Sequence, residues 1–152
     1  MKPIVLTESI AAPPELVFDR CTDIPSTPDY IAAIETIEML TDGPIGVGSR
    51  FRETRIMMGK HASEEMTVTA IDPPRSWTLE AHSHGTHYLT TTTFTPSSGG
   101  TRLEMSFTGT PQSMSAKILG ACLGWMMVGY VRKALQQDLA DLKAACEASI
   151  NS

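Results

Sequence analysis

From Glu35 to about Gln112 the chain alternates with a period of two, broken at short intervals by Gly, Pro and Asp. After Pro111 the period turns helical and holds to near Ser149. A chain written this way must build an antiparallel meander and then lay one long helix against it. The meander's strands are expected at Glu35 to Thr41, Gly48 to Met58, Ser63 to Ile71, Arg75 to His84, His87 to Pro96 and Thr101 to Thr110. The intervening turns fall at Asp42-Gly43-Pro44, Gly59-Lys60, Asp72-Pro73-Pro74, Gly85-Thr86 and Ser97-Ser98-Gly99-Gly100. Proline has no backbone donor, which ends the third of these strands at Ile71. The run Thr90-Thr91-Thr92-Thr93 suits a pleated backbone because branching at Cβ packs well there.

Ahead of the meander, Pro3 to Ala11 reads as a strand carrying Ile4, Leu6 and Ile10 on one parity. Pro13-Pro14 breaks it. A short helix follows, with Glu15 early and Arg20 late to match the helix dipole, and a second short helix is expected at Tyr30 to Ile34. The C-terminal helix is expected over 118–147, about 45 Å at 1.5 Å per residue, with Ser113 or Ser115 as its cap. Ile118, Ala121, Trp125, Val128, Leu135, Leu139, Leu142 and Cys146 form its apolar stripe. The fold class is therefore α+β. A curved antiparallel sheet of about seven strands wraps on a long C-terminal helix, with two short helices after the first strand.

With 152 residues the chain has room for one domain, expected to span 1–152. Its hydrophobic fraction of 41% and charged fraction of 19% exclude a disordered or coiled-coil chain. A net charge of −5 disfavours nucleic acid as a partner. The cysteines, Cys21, Cys122 and Cys146, are odd in number and far apart, so neither a disulfide framework nor a zinc ribbon fits. Glu8 interrupts any signal-peptide stretch, and a cytoplasmic location is expected. The longest apolar run, Ile118 to Val131, is fourteen residues and falls short of a membrane span, which needs about 17.

Local phrases match this order of elements. Ile10-Ala11-Ala12-Pro13-Pro14-Glu15-Leu16-Val17-Phe18 resembles the "I-x-A-P-x-x-V-F" strand-to-helix passage of the START-related helix-grip (SRPBCC) superfamily, in its polyketide cyclase/dehydrase branch. Gly46-Val47-Gly48-Ser49-Arg50-Phe51 resembles that branch's "G-x-G-x-x-F" hairpin. Asp72-Pro73-Pro74-Arg75 and Gly99-Gly100-Thr101-Arg102 add to the resemblance, which covers nearly the whole chain. It implies the helix-grip fold and an apolar cavity between sheet and helix. Members of the superfamily carry lipids or hormones, or cyclise polyketides, so the resemblance leaves the function open.

Alternation supplies candidate site residues. If Phe51 faces the helix, Glu53, Arg55 and Met57 do too, and the charges must pair with each other or with a ligand, or else lie at a solvated edge. On the sixth strand Phe94 places Tyr88, Thr90 and Thr92 inward, as cavity lining or as hydroxyls that bond one another and trapped water. Glu53, Arg55 and Tyr88 are the candidates for moving protons or polarising carbonyls. Phe51, Met57, Tyr88, Thr90, Thr92, Met105, Phe107, Trp125 and Arg132 are the candidates for touching a ligand. The chain holds nine methionines, which adapt to varied apolar ligands and also serve as ordinary filler.

Gly120, Gly124 and Gly129 weaken the helix by about 1 kcal/mol each, a cost that close approach to the sheet or room for a ligand would offset. Met126, Met127 and Tyr130 lie off the stripe, where the short helices are expected to cover them; a homodimer contact or a cavity mouth is the other reading. His82, His84 and His87 resemble a metal motif, but their parity points them outward, so no metal is expected. No nucleotide-binding or hydrolase motif is present and no cofactor is expected. The leading expectation is binding of an apolar or amphipathic small molecule, such as a lipid, aromatic or polyketide-like compound. A cyclase or dehydratase and a protein-interaction module are the alternatives, and the residues leave turnover undecided.

Overall fold

The computed structural model describes residues 2–151, apart from the side chains of residues 121–123 and 125. In chain order the elements are β1 (Ile4–Ile10), α1 (Pro14–Thr22), a 3-10 helix (Ile24–Asp29), β2 (Ile34–Met39) and β3 (Arg50–Met57). Then follow β4 (Lys60–Asp72), β5 (Ser76–Ser83), β6 (Thr86–Ser97), β7 (Gly100–Pro111) and α2 (Met114–Asn151). The strands form one antiparallel sheet in the order β1-β7-β6-β5-β4-β3-β2. β2 to β7 are thus a pure meander, and β1 returns beside its last strand. This is the sheet and long helix expected from the periodicity, and the helix-grip fold that the resemblance implies.

Two turns sit one residue earlier than expected. Met58 and Gly59 have φ of 50° and 75°, and His84 and Gly85 have φ of 50° and 75°. A two-residue hairpin of type I′ needs positive φ at both central positions, and only the second is glycine in each case. The second short helix also moves. It occupies Ile24–Asp29 rather than Tyr30 to Ile34, because Ser26 and Thr27 bond back to the carbonyls of Asp23 and Ile24. Ile34, only 6% exposed, is released to start β2.

The core lies between the inward face of the sheet, α1 and the second half of α2. Phe18 of α1 meets Phe94 of β6 edge to face at 5.4 Å, while Leu139, Leu142 and Cys146 of α2 are buried beneath. That half of α2 is also tied by polar contacts. Lys143 Nζ donates to the Ser9 carbonyl at 2.6 Å, and Glu147 Oε2 accepts from the Ala11 N–H at 2.8 Å. At the other end Ser113 caps α2, its Oγ accepting from the Ala116 N–H at 3.1 Å.

The first half of α2 departs from expectation. Ile118, placed on the buried stripe, is 60% exposed, and Met126 and Met127 are 57% and 42% exposed, uncovered by the short helices. Length explains this: 38 residues make a helix of about 57 Å. A twelve-residue strand reaches only about 40 Å, so the sheet cannot bury all of it. Gly120, Gly124 and Gly129 do not serve close packing either, since a Cβ on any of them would meet nothing within 4 Å. Among the described residues no helix is long and apolar enough to cross a membrane.

Candidate functional site

β3 carries its charges inward. Phe51, 3% exposed, is in the core, and Glu53, Arg55 and Met57 follow it on the same face. The side chains of Glu53 and Arg55 are only 13% and 16% exposed, which excludes the solvated-edge alternative. Arg55 Nε donates to Glu53 Oε2 at 3.0 Å, and its Nη2 donates to Asp138 Oδ2 of α2 at 2.9 Å. One guanidinium thereby bridges the sheet to the helix. Burial pulls Arg55 down, but the two carboxylates outweigh it and hold it above its ordinary value.

Asp138 was not among the residues expected in the site. It is 8% exposed, and its Oδ1 is buried with no hydrogen-bond partner among the described residues. Burial pushes its carboxyl up to about 6, although Arg55 opposes the shift. Its signal in the sequence was an acid on the apolar side of α2, spaced three and four residues from Leu135 and Leu142, which are both packed in or against the core.

Glu64 of β4 is a second residue that the sequence reading passed over. The register sets it directly opposite Glu53, and it makes no hydrogen bond or ion pair among the described residues. Burial raises its carboxyl first and the Glu53 charge raises it further, with Arg55 and His84 opposing. Alternation from the buried Val68 through Met66 was the available signal.

β6 supplies the rest of the inner wall. Thr92 and Phe94 are each 2% exposed, and Tyr88 and Thr90 are half-buried on the same parity. The Tyr88 ring stacks on Phe107 of β7 at 5.6 Å. Gly109 stands opposite Tyr88, where a Cβ would lie 3.1 Å from the ring, so glycine lets the tyrosine lie flat there. Burial raises the Tyr88 hydroxyl, and the Glu64 charge adds to it. Met105 pairs with Thr92 and packs against the core. Tyr130 of α2 accepts from the Met58 N–H at 2.9 Å and ties the helix to the β3–β4 turn.

The remaining candidates lie elsewhere. Arg132 is exposed and lines an open groove with Val5, Thr7, Glu8 and Gln136 at the β1 edge. The side chain of Trp125 falls outside the described residues. His82 and His84 are exposed, and His87 Nε2 is 2.6 Å from Glu80 Oε1 with its ring 4.7 Å from that of His82. Among the described residues no three His, Cys, Asp or Glu side chains converge as metal ligands.

A family model described as polyketide cyclase / dehydrase and lipid transport matches residues 2–147. No curated protein is similar enough in sequence to count as a match. Among solved structures, TTHA0849 from Thermus thermophilus is 21% identical with a TM-score of 0.81, the match covering 97% of this chain and 98% of that one. The di-domain ARO/CYC StfQ from the steffimycin biosynthetic pathway is 13% identical with a TM-score of 0.82, covering 99% of this chain and 52% of that one. The di-domain ARO/CYC BexL from the BE-7585A biosynthetic pathway is 15% identical at 0.79, covering 95% and 50%. At these identities the likeness is one of fold.

Proposed function

Because this chain belongs to the polyketide cyclase / dehydrase and lipid transport family, we propose that it binds an apolar or amphipathic small molecule between the inner face of the sheet and α2. The observation that carries this reading is the Glu53–Arg55–Asp138 bridge, with Glu64 facing Glu53, on the same inner face as the buried Phe51 and Phe94. A packed core has little use for one buried and three half-buried ionisable groups, because hydrophobic side chains of similar volume often fill such space with no loss of stability. A site that must orient one polar end of an apolar ligand does gain from them. Phe51, Met57, Thr90, Thr92, Met105, Phe107 and Tyr88 supply the apolar and hydroxyl-bearing wall, while Arg132, in its open groove at the β1 edge, stands apart from it. The chain acts as one domain over 1–152, and the thiols of Cys21 and Cys146, both free, suit the reducing cytoplasm.

Native mass spectrometry of the purified protein tests the reading. A co-purifying lipid or aromatic compound, released on denaturation, is the expected result. A protein that is empty and also fails to take up apolar fluorescent probes would overturn it.

A second reading, cyclase- or dehydratase-type turnover, has one observation in its favour. Asp138, with its carboxyl near 6, can hold or release a proton at neutral pH beside the Arg55 guanidinium. Turnover of a polyketide-like substrate that is lost in Arg55→Ala and Tyr88→Phe is its expected signature. An interaction role or a homodimer would draw on the exposed Ile118, Leu119, Met126 and Met127, and light scattering that shows only monomer would remove the homodimer.

A further inference from the structure

We infer that the ligand's polar end is a hydrogen-bond donor carrying positive charge, so that the class bound is an amphipathic amine rather than a fatty acid or other anion. This rests on the binding reading above and deepens it. The inner polar cluster has three carboxyls, Glu53, Glu64 and Asp138, against the single guanidinium of Arg55. Arg55 donates through Nε to Glu53 at 3.0 Å and through Nη2 to Asp138 at 2.9 Å, and its one charge is set among three carboxyls, so an incoming anion would meet an excess of negative charge.

Acceptors, in contrast, are left over. Asp138 Oδ1 is buried, in a residue 8% exposed, and has no donor. A buried acceptor without a donor costs about 1–3 kcal/mol, which a ligand N–H placed there would recover. Glu64 faces Glu53 across the ladder with neither an ion pair nor a hydrogen bond among the described residues. Like charges directly opposite destabilise a sheet, and a cation between them turns repulsion into two attractions. Beside these carboxyls, the stacked rings of Tyr88 and Phe107 offer a flat apolar wall for the body of such a molecule, and Tyr88 lies within electrostatic reach of Glu64.

The pH dependence has a definite sign. The groups that bear on the cluster are Glu53 and Arg55 from β3, Glu64 from β4, His84 from the β5–β6 turn, Tyr88 from β6, and Asp138 and Asp141 from α2. Burial raises the carboxyls of Asp138 and Glu64, Asp138 to about 6, so acid protonates them and removes the charges an amine would meet. Amine affinity rises as the pH is raised from about 5 to about 8, the amine itself staying protonated to about pH 9.

Calorimetric titration of the full chain with 2-naphthylmethylamine, 2-naphthylmethanol and 2-naphthoate tests this at both pH values, because the three share one apolar body. The expected result at about pH 8 is an amine at least about tenfold tighter than the carboxylate, with the amine-to-alcohol preference shrinking at about pH 5. That preference collapses in Glu64→Gln and in Asp138→Asn and survives in Glu80→Gln, which changes the outer face; thermal melts confirm that each variant folds. If the carboxylate binds as tightly as the amine, or the preference survives both inner substitutions, the inference is wrong while the binding reading stands. If none of the three binds, both fall together.

Discussion

Glu53 and Glu64 stand directly opposite one another on the inward face of the β3–β4 ladder, and among the described residues only Glu53 is hydrogen-bonded to Arg55. The Glu64 carboxyl is raised, chiefly by burial and then by its neighbour, so its ionised form is the one the fold disfavours. The sign follows from the direction of the shift. Stability is fully present below the unfolded value of Glu64 and is lost as pH rises through its higher folded value. Glu64→Gln therefore stabilises the protein at neutral pH by about 0.2–1 kcal/mol. Urea unfolding checks it, with a raised midpoint and an unchanged slope expected.

Arg55 is the group that holds both Glu53 and Asp138, and Arg55→Met leaves these two carboxylates buried without it. Removing one partner of a buried pair costs about 3–5 kcal/mol, and a loss of that order is expected in the same unfolding measurement. Adding Asp138→Leu and Glu53→Leu to Arg55→Met recovers most of it, since the two carboxylates that Arg55 held are then gone and only Glu64 remains. A variant Arg55→Met as stable as the parent would show that water reaches the cluster freely, contrary to the 16% and 13% exposures of Arg55 and Glu53.

Asp138 makes a second pH statement. Its carboxyl rises from 3.8 to about 6, with burial as the largest cause. The raised value means that stability tied to Asp138 is present at low pH and declines as pH rises from about 4 through about 6. The decline is on the order of 2–3 kcal/mol. Asp138→Asn cannot titrate, so its stability profile over that window is flatter than the parent's. Parallel profiles for the two proteins would show that Asp138 has an ordinary carboxyl.

Most of the fold was legible because it rests on patterns with a mechanism: strand alternation, proline stops and the change of period at Pro111. The inward Glu53 and Arg55 followed from Phe51 by parity alone. Asp138 was missed because the helix stripe was drawn through its apolar members, and an acid inside such a stripe has meaning only once its partner on another element is known. Arg55 lies 83 residues away in sequence. Glu64 was missed for a related reason, since its significance comes from register with β3 and not from its own strand. Ile118 was misplaced because helical periodicity says which side of a helix is apolar and nothing about where the sheet beneath it ends.

Gly109 offers a test of how the inner wall is built. A Cβ at this position would lie 3.1 Å from Tyr88 Cε1 and 3.3 Å from its Cδ1, tighter than ordinary contact, so the ring must shift. Gly109→Ala is expected to disturb the stacking of Tyr88 on Phe107 and to cost about 1–3 kcal/mol, the range for overpacking. Tyr88→Ala in the same chain removes the clash, so the double variant is no less stable than Tyr88→Ala alone. A cost for Gly109→Ala that persists in the Tyr88→Ala background would assign it to the backbone.

The two halves of α2 should respond to substitution quite differently. Leu142 is 3% exposed and belongs to the core, so Leu142→Ala is expected to cost about 2–5 kcal/mol. Ile118 and Met126 are 60% and 57% exposed, and Ile118→Lys or Met126→Lys is expected to change stability by no more than about 0.5 kcal/mol in dilute protein. Hydrogen exchange gives the same contrast without mutation. Amides around Leu139 to Cys146 sit in the segment pinned by Lys143 and Glu147 and exchange only on global opening, while those near Ile118 exchange through local opening. Equal protection along the whole helix, together with a large cost for Ile118→Lys, would mean that the first half of α2 is covered in solution.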